Sequence, residues 1–463
     1  MNASIEKQYD VCVVGGGLAG CAAAIAAAES GASTVLIEES GILGGQATLG
    51  LVTPLSAVRS NSREAFGGLC RSISEEISRV TQKYCIPRGE SRVNTIQPHM
   101  TKYVLLKRCL QANVAVMFHA RLVEAECLSG GVHGVTIHTE SGFGKIVAKA
   151  FVDGTGDGDL VAQSGAGFLF GSEQEAYDLL REEGLLEVHY TESDQEPETQ
   201  ANTLQPVSIF FKMRGVNVDA ALKWNNVHPT YADLGTTKEQ FMKEPYFGAC
   251  GFEENGELVP LPQQRILVSR GNTEDTAVIN MSRVVKIDGS DSDSLNRGEA
   301  LAQMQVLHLV DFLIKYVPGF ENAYFTESAV TLGVRETRRM RGQYVLSGAD
   351  VIRCRPFADA VARGSYMIDI HDPTGKNSAL GGELKGDYYE IPLRCLASVD
   401  YPNLFAAGRC ISADHVAHSS TRIQGTCLQT GEAAGVAAAE LALTGAYTAE
   451  SVRTELIRRG ATL

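Results

Sequence analysis

Apolar positions fall into two rhythms along this chain, short unbroken runs and small-residue helical stretches, and they alternate at both of its ends. Val11-Cys12-Val13-Val14 is an unbroken apolar run, the pattern of a strand buried on both faces of a parallel sheet. The Ala-rich stretch Leu18–Glu29 reads as the helix that follows, closed by Gly31. Thr34-Val35-Leu36-Ile37 is a second buried strand and runs into Glu38. Residues 101–113 return to a helical period, and 114–118 and 122–125 read as strands. The alternating runs 134–139 and 145–152 then predict a small antiparallel meander joined to the parallel sheet, with Gly130-Gly131 in a hairpin turn. A polar helical insertion is expected over about residues 51–90.

The turn between the first strand and helix is Gly15-Gly16-Gly17-Leu18-Ala19-Gly20. Gly15 permits a tight turn, Gly17 lets backbone amides approach a pyrophosphate, and Gly20 lets helix and strand pack closely. The helix N-terminus adds positive potential for phosphates. Glu38 stands where its carboxylate accepts hydrogen bonds from ribose hydroxyls and repels a 2′-phosphate, which disfavours NADP. This is the plan of a βαβ unit for an ADP-bearing cofactor. The following loop of small residues, 41–48, lets backbone lie against a flat ligand. A second glycine-rich station, Asp153-Gly154-Thr155-Gly156-Asp157-Gly158-Asp159, ends the meander. A third, Ala407-Gly408-Arg409, follows a strand and precedes a small-residue helix that opens near Gly425-Thr426.

The 463 residues are too many for one ordinary core, and the expected division is a nucleotide domain over 1–165, a second domain over 166–385, and a return to the first over 386–463. The fold class is therefore α/β, a Rossmann-like domain with an inserted α+β substrate domain. A net charge of -14 with no run of Lys or Arg argues against nucleic acid or an anionic membrane as partner. Eleven cysteines without a C-x-x-C pair read as thiols in a reducing compartment, and no apolar run approaches the roughly 18 residues of a membrane span. A cytoplasmic protein is expected. The polar turn at 288–294 caps a helix that carries Val306, Leu307, Val310, Leu313, Ile314 and Val317 on one face; it lacks the twelfth-position glutamate of a calcium loop, so no metal is expected.

Together the glycine-rich stations, with Val317-Pro318-Gly319-Phe320, Gly333-Val334-Arg335-Glu336-Thr337-Arg338-Arg339 and Ile391-Pro392-Leu393-Arg394, resemble the FAD-dependent oxidoreductases. These are two-dinucleotide-fold flavoproteins related to the succinate dehydrogenase and fumarate reductase flavoproteins. The resemblance implies one extended, non-covalent FAD with its flavin ring at the domain boundary. Gly15, Gly17, Leu18, Ala19, Gly20, Glu38 and Glu39 would serve the ADP half, with Leu122, Thr155, Gly156 and Asp157 on the adenine side. Gly44, Gly45, Gln46, Ala47, Thr48, Gly408 and Arg409 would flank the flavin and ribityl chain, and the helix opening at Gly425 and Thr426 would face the N1 and C2 carbonyl region. Many relatives carry an acidic residue where Arg409 stands.

The loop after the first unit has no paired cysteines, and no second G-x-G-x-x-G follows a strand, so a redox disulfide there and a second dinucleotide are not expected. Electrons then pass between a small-molecule substrate and a separate donor or acceptor. Hydride transfer through flavin N5 needs a partner group for a proton. The candidates are His371 and His418, with His415 in competition, and Arg335 and Arg338 as carboxylate clamps. Arg338 and Arg339 are equally readable as ion-pair partners of Glu336. A flavin monooxygenase and a non-catalytic flavin-binding regulatory or scaffold protein stay open as alternatives.

Overall fold

Strand β1 (Glu6–Val14) leads through helix α1 (Leu18–Glu29) to β2 (Thr34–Ile37). Helices α2 (Gly68–Tyr84) and α3 (Pro98–Gln111) follow, then β3 (Ala115–Met117) and the meander β4 (Arg121–Leu128), β5 (Gly131–Thr139) and β6 (Gly142–Asp153). A short α4 (Asp159–Gln163) and β7 (Phe168–Phe170) lead into a second unit of β8 (Phe211–Arg214), β9 (Val268–Arg270), β10 (Ala277–Ile279), α5 (Ser292–Tyr316) and β11 (Tyr324–Ser328). The chain returns through β12 (Arg338–Met340) and β13 (Leu404–Ala406) to α6 (His415–Thr421), α7 (Gln424–Thr444) and α8 (Ala449–Arg458). This computed structural model describes residues 6–53, 66–85, 97–184, 188–189, 202–227, 253–254, 257–258, 268–373 and 379–463. Parts of the expected 51–90 insertion, at 54–65 and 86–90, lie outside the described residues, as does most of the Glu-rich stretch after residue 182.

The main sheet has the order β3-β2-β1-β6-β5-β4. One flank of β6 changes partner along its length: residues 142–147 pair antiparallel with β5, and 151–153 pair parallel with β13. That change is how a meander and a parallel sheet share one strand. Val14 pairs with both Ile37 and Asp153, and Asp153 with Ala406, all in parallel. The carboxyl ends of β1, β2, β6 and β13 are thereby level, and the turns that leave them open on one edge, where ligands bind in open α/β sheets.

Helix α1 is apolar nearly all round, α7 is rich in small residues, and both are buried along most of their length. They touch through small residues four apart. A Cβ added at Gly431 would stand 2.2 Å from the Ala19 carbonyl oxygen, and one at Gly435 would stand 2.2 Å from that of Ala23. Gly20 is as constrained, since its Cβ would lie 1.8 Å from the Gly15 oxygen.

A separate hydrophobic core belongs to residues 207–334 together with Leu51. Its sheet runs β9-β10-β8-β11, all antiparallel, and contributes Phe211, Met213 and Ile279; α5 contributes Val306, Leu309 and Leu313. Asp291 caps α5, its side chain accepting from Ser294 N at 2.8 Å. Met340, Leu346, Ile368 and Ile370, inside the expected 166–385 segment, instead pack with Val11 and Leu36 in the first core.

Replacing Gly435 by Val forces a branched side chain into the Ala23 backbone. A loss of about 1–3 kcal/mol is expected from overpacking, read as a lowered Tm. Ala446→Val, on the exposed turn beyond α7, is expected to leave Tm unchanged.

Candidate functional site

The first station folds as its glycines require. Gly15 has φ +96°, and a Cβ there would lie 2.6 Å from Gly154 backbone atoms, so both conformation and space demand glycine. Gly17 differs: the nearest atom to its added Cβ is 3.8 Å away, which leaves this side of the turn open. Glu38 closes the turn from β2, its two oxygens accepting from Gly16 N and Ser40 N, each at 2.7 Å. The loop after it is bridged to the turn, with Gly44 N donating to Gly16 O at 2.8 Å and a Cβ at Gly45 falling 3.1 Å from Gly17 Cα. Thr48 is buried and spends its hydroxyl on Leu43 O and Gly45 O; Ala47 is buried beside it. Burial, then the neighbouring Glu38 charge, raises the Glu39 carboxyl above its ordinary range. Ala120 N donates to Glu38 O at 3.0 Å, which places the start of β4, two residues before Leu122, at this end of β2.

The second and third stations meet the first. Asp153 is fully buried and braces its own turn, accepting from Thr155 N and Oγ1 and from Val161 N. Gly156 at φ +82° lies against the Arg409 guanidinium. Arg409 pairs with Asp157 at 2.9 Å, and Thr337 Oγ1 donates to the same Asp157 oxygen at 2.6 Å. Arg338 donates to Asp157 O at 3.0 Å and to Asp159 Oδ1 at 2.7 Å, so it frames this turn. Gly408, at φ +77°, packs on Ala19, and its N–H donates to Thr430 Oγ1 of α7 at 3.1 Å.

An extended FAD fits these residues. Buried acceptors mark the far half of the cleft: Gln46 donates to Leu332 O and Gln424 to Val52 O, while Gln46 Oε1 and Gln424 Oε1 are buried with no hydrogen-bond partner. They sit at the loop after β2 and at the start of α7, where Gly425 and Thr426 are also buried and Phe66 packs against Gly425. Gly15, Gly17 and Glu38 would hold the ADP half, and Gln46 and the α7 N-terminus the flavin half.

Beside this half lies a cluster of charges. Arg335 donates to Pro206 O, and Arg422 Nη2 donates to Asp369 O at 3.0 Å and lies 3.5 Å from Asp369 Oδ2. Arg283 Nη2 meets His371 Nδ1 at 2.8 Å. A guanidinium only donates, so Nδ1 accepts and the neutral ring carries its proton on Nε2, 3.6 Å from Asp369 Oδ2. Burial, then Arg335, pushes His371 down to about 3, against the opposite pull of Asp369. The neutral form of the ring is favoured, where an ordinary histidine titrates near neutrality. Burial, then Arg422 and Arg283, pushes Arg335 down to about 9. Burial acts to raise Asp369, but His371, Arg422 and Arg335 outweigh it and hold the carboxyl well below its usual range.

His418 and His415 belong to a neighbouring network around Glu336, all three fully or almost fully buried. Glu336 pairs with Arg339 and meets His415 Nδ1 at 2.8 Å, and these partners overcome its burial and hold its carboxyl far below the ordinary range. His418 Nδ1 is 4.0 Å from the same carboxylate, neither of its nitrogens has a hydrogen-bond partner, and burial drives it well below an ordinary histidine. Gln205 joins the two groups, donating to Glu336 and accepting from His371 N at 3.1 Å. Arg283, Arg422 and Gln205 were not marked by any sequence motif; only Arg422, two residues ahead of the α7 start, stood beside one.

Glu38→Ala is expected to weaken FAD binding roughly ten- to a hundredfold, the effect of losing a charged hydrogen-bonding group worth about 1.5–3 kcal/mol. Titration of apoprotein followed by flavin fluorescence measures it; unchanged affinity would place Glu38 outside the cofactor's reach.

Over 177 residues, 34% of this chain and 88% of the relative, the sequence is 29% identical to an uncharacterized protein in the nifH2 5′ region of Methanosarcina barkeri. Among solved structures it is similar to a geranylgeranyl bacteriochlorophyll reductase-like protein from Thermoplasma acidophilum, at 12% identity, TM-score 0.43, 98% of this chain and 85% of that one. It is also similar to p-nitrophenol 4-monooxygenase from Pseudomonas putida DLL-E4, at 11% identity, TM-score 0.46, 98% of this chain and 85% of that one. Among the described residues no helix is long and apolar enough to cross a membrane. The family model described as FAD dependent oxidoreductase matches residues 10–460, so the chain belongs to that family and is an FAD-dependent enzyme.

Proposed function

We propose that this enzyme moves hydride between FAD and a small anionic metabolite, and that a separate electron donor or acceptor completes the turnover. The observation that carries this reading is the Arg283, Arg335 and Arg422 cluster. Arg335 and Arg422 stand about the Asp369 carboxylate, and Arg283 bonds the neutral imidazole of His371 next to it. Arg335 is buried and, among the described residues, donates to the Pro206 carbonyl; positive charge away from water is costly, and an anionic substrate would neutralise it. Bound FAD supplies a carbon-directed hydride acceptor or donor at its N5.

The protein side supplies position and protons. Arg335 and Arg422 would grip the anionic group through paired N–H donors. Arg283 locks the His371 tautomer, so Nε2–H is a fixed donor toward Asp369 or a substrate oxygen. Gln205 holds the His371 backbone in place. Arg338, bound to Asp157 and Asp159, would act on cofactor geometry and not on substrate.

Anaerobic screening of small acids, phosphate esters and neutral polyols for bleaching of the flavin spectrum tests the reading. Acids are expected to bleach. Arg335→Gln is expected to lower kcat/KM for them roughly ten- to a hundredfold, the cost of one charged hydrogen bond, with the resting flavin spectrum unchanged. Bleaching by neutral compounds alone would overturn the anionic assignment, and NADPH consumption with oxygen incorporation would favour a monooxygenase.

A further inference from the structure

At the opposite end of α1 from the glycine turn, the helices α1, α2, α3, α7 and α8 line an open pocket of about 310 Å³. Its inner wall holds Glu432 of α7, only 2% exposed. One Glu432 oxygen accepts from Leu69 N in the first turn of α2 at 2.8 Å, while the other, Oε1, is buried without a hydrogen-bond partner. Gly68 makes the close approach possible: at φ +53°, an added Cβ would stand 2.3 Å from Glu432 Oε2. A buried acceptor with one unfilled oxygen is an expensive feature unless something meets it.

The mouth has the opposite chemistry. Arg459 is committed to Glu29, Glu455 and the Ala26 carbonyl. Arg108 pairs with Glu76 at 3.3 Å and donates to Ser72 at 2.7 Å, and Arg458 pairs with Glu455 at 2.6 Å. Each guanidinium has five N–H donors, so Arg108 and Arg458 keep capacity for a further acceptor. The cavity therefore offers an acceptor inside and donors at its rim, within the lower range of small-molecule pockets, about 300–1,000 Å³.

We propose that this cavity binds a small zwitterion of the free amino acid class, its ammonium on Glu432 Oε1 and its carboxylate on Arg108 and Arg458. The site is separate from the flavin cleft and stands independently of the substrate reading. Burial pushes the Glu432 carboxyl up to about 7, in a setting where Glu29, Cys70, Arg108, Glu455, Arg458 and Arg459 face it from the four other helices. An ammonium favours the ionised carboxylate, so binding near pH 7 is expected to release a proton.

Isothermal titration of the FAD-loaded protein with each free amino acid, in two buffers of different ionisation enthalpy, tests this. At least one is expected to bind with proton release and an unchanged flavin spectrum. Glu432→Gln is expected to abolish the binding, and Arg458→Gln, at an exposed side chain, to weaken it at least tenfold. The Arg458 variant decides the matter even where the Glu432 variant does not fold. Absence of binding by every amino acid, affinity unaltered in Arg458→Gln, or equal binding of methylammonium or acetate alone would each overturn the proposal.

Discussion

Backbone-to-backbone approach of α1 and α7 is the contact on which the rest of the cofactor cleft depends. Gly431 and Gly435 rest on the Ala19 and Ala23 carbonyls, and Gly20 rests on Gly15, with no side chain between them. Dense packing of this kind leaves no slack: a methyl group at any of these positions meets a backbone atom. The contact joins segments about four hundred residues apart in sequence. It sets the start of α7 beside the first glycine turn, and it lets Gly408 sit on Ala19. The level strand ends then complete the edge, because Val14, Ile37, Asp153 and Ala406 share one register.

A second constraint is electrostatic. Glu336 lies fully buried between Arg339 and His415, and through Gln205 it reaches the backbone of His371. Removing one member of such a network strands the others without compensation, so the group acts as one unit. It holds the loop after the second core against the first core. Next to it, Arg335 and Arg422 stand about Asp369, and Arg283 bonds the neutral ring of His371. In a fold whose overall charge is negative, this gathering of arginines is local.

The parts most legible in the sequence were those whose causes are local. The strand, glycine turn and helix at Val11 to Glu29, the meander at 121–153 and the Asp291 cap each depend on residues within about twenty positions of one another. The pairs that define the site are different in kind. His371 meets Arg283 across 88 residues, Gln205 meets Glu336 across 131, and the Asp157 to Arg409 pair joins two stations. No periodicity or spacing marks such partners. The placement of Met340 to Ile370 in the first core was hidden for the same reason: an apolar residue declares that it is buried and not which core it enters.

By itself, then, the sequence determined the parallel sheet and the glycine turns at its strand ends, because backbone conformation and close approach are written in residue type, and through its family resemblance it determined the kind of cofactor. Only the tertiary structure decided that Arg338 and Arg409 brace the Asp157 turn, that burial and Arg335 hold His371 neutral while Arg283 fixes its tautomer, and that Arg335 and Arg422 converge on Asp369. Protonation and charge balance depend on burial and on which distant side chains arrive together, and folding alone brings them there.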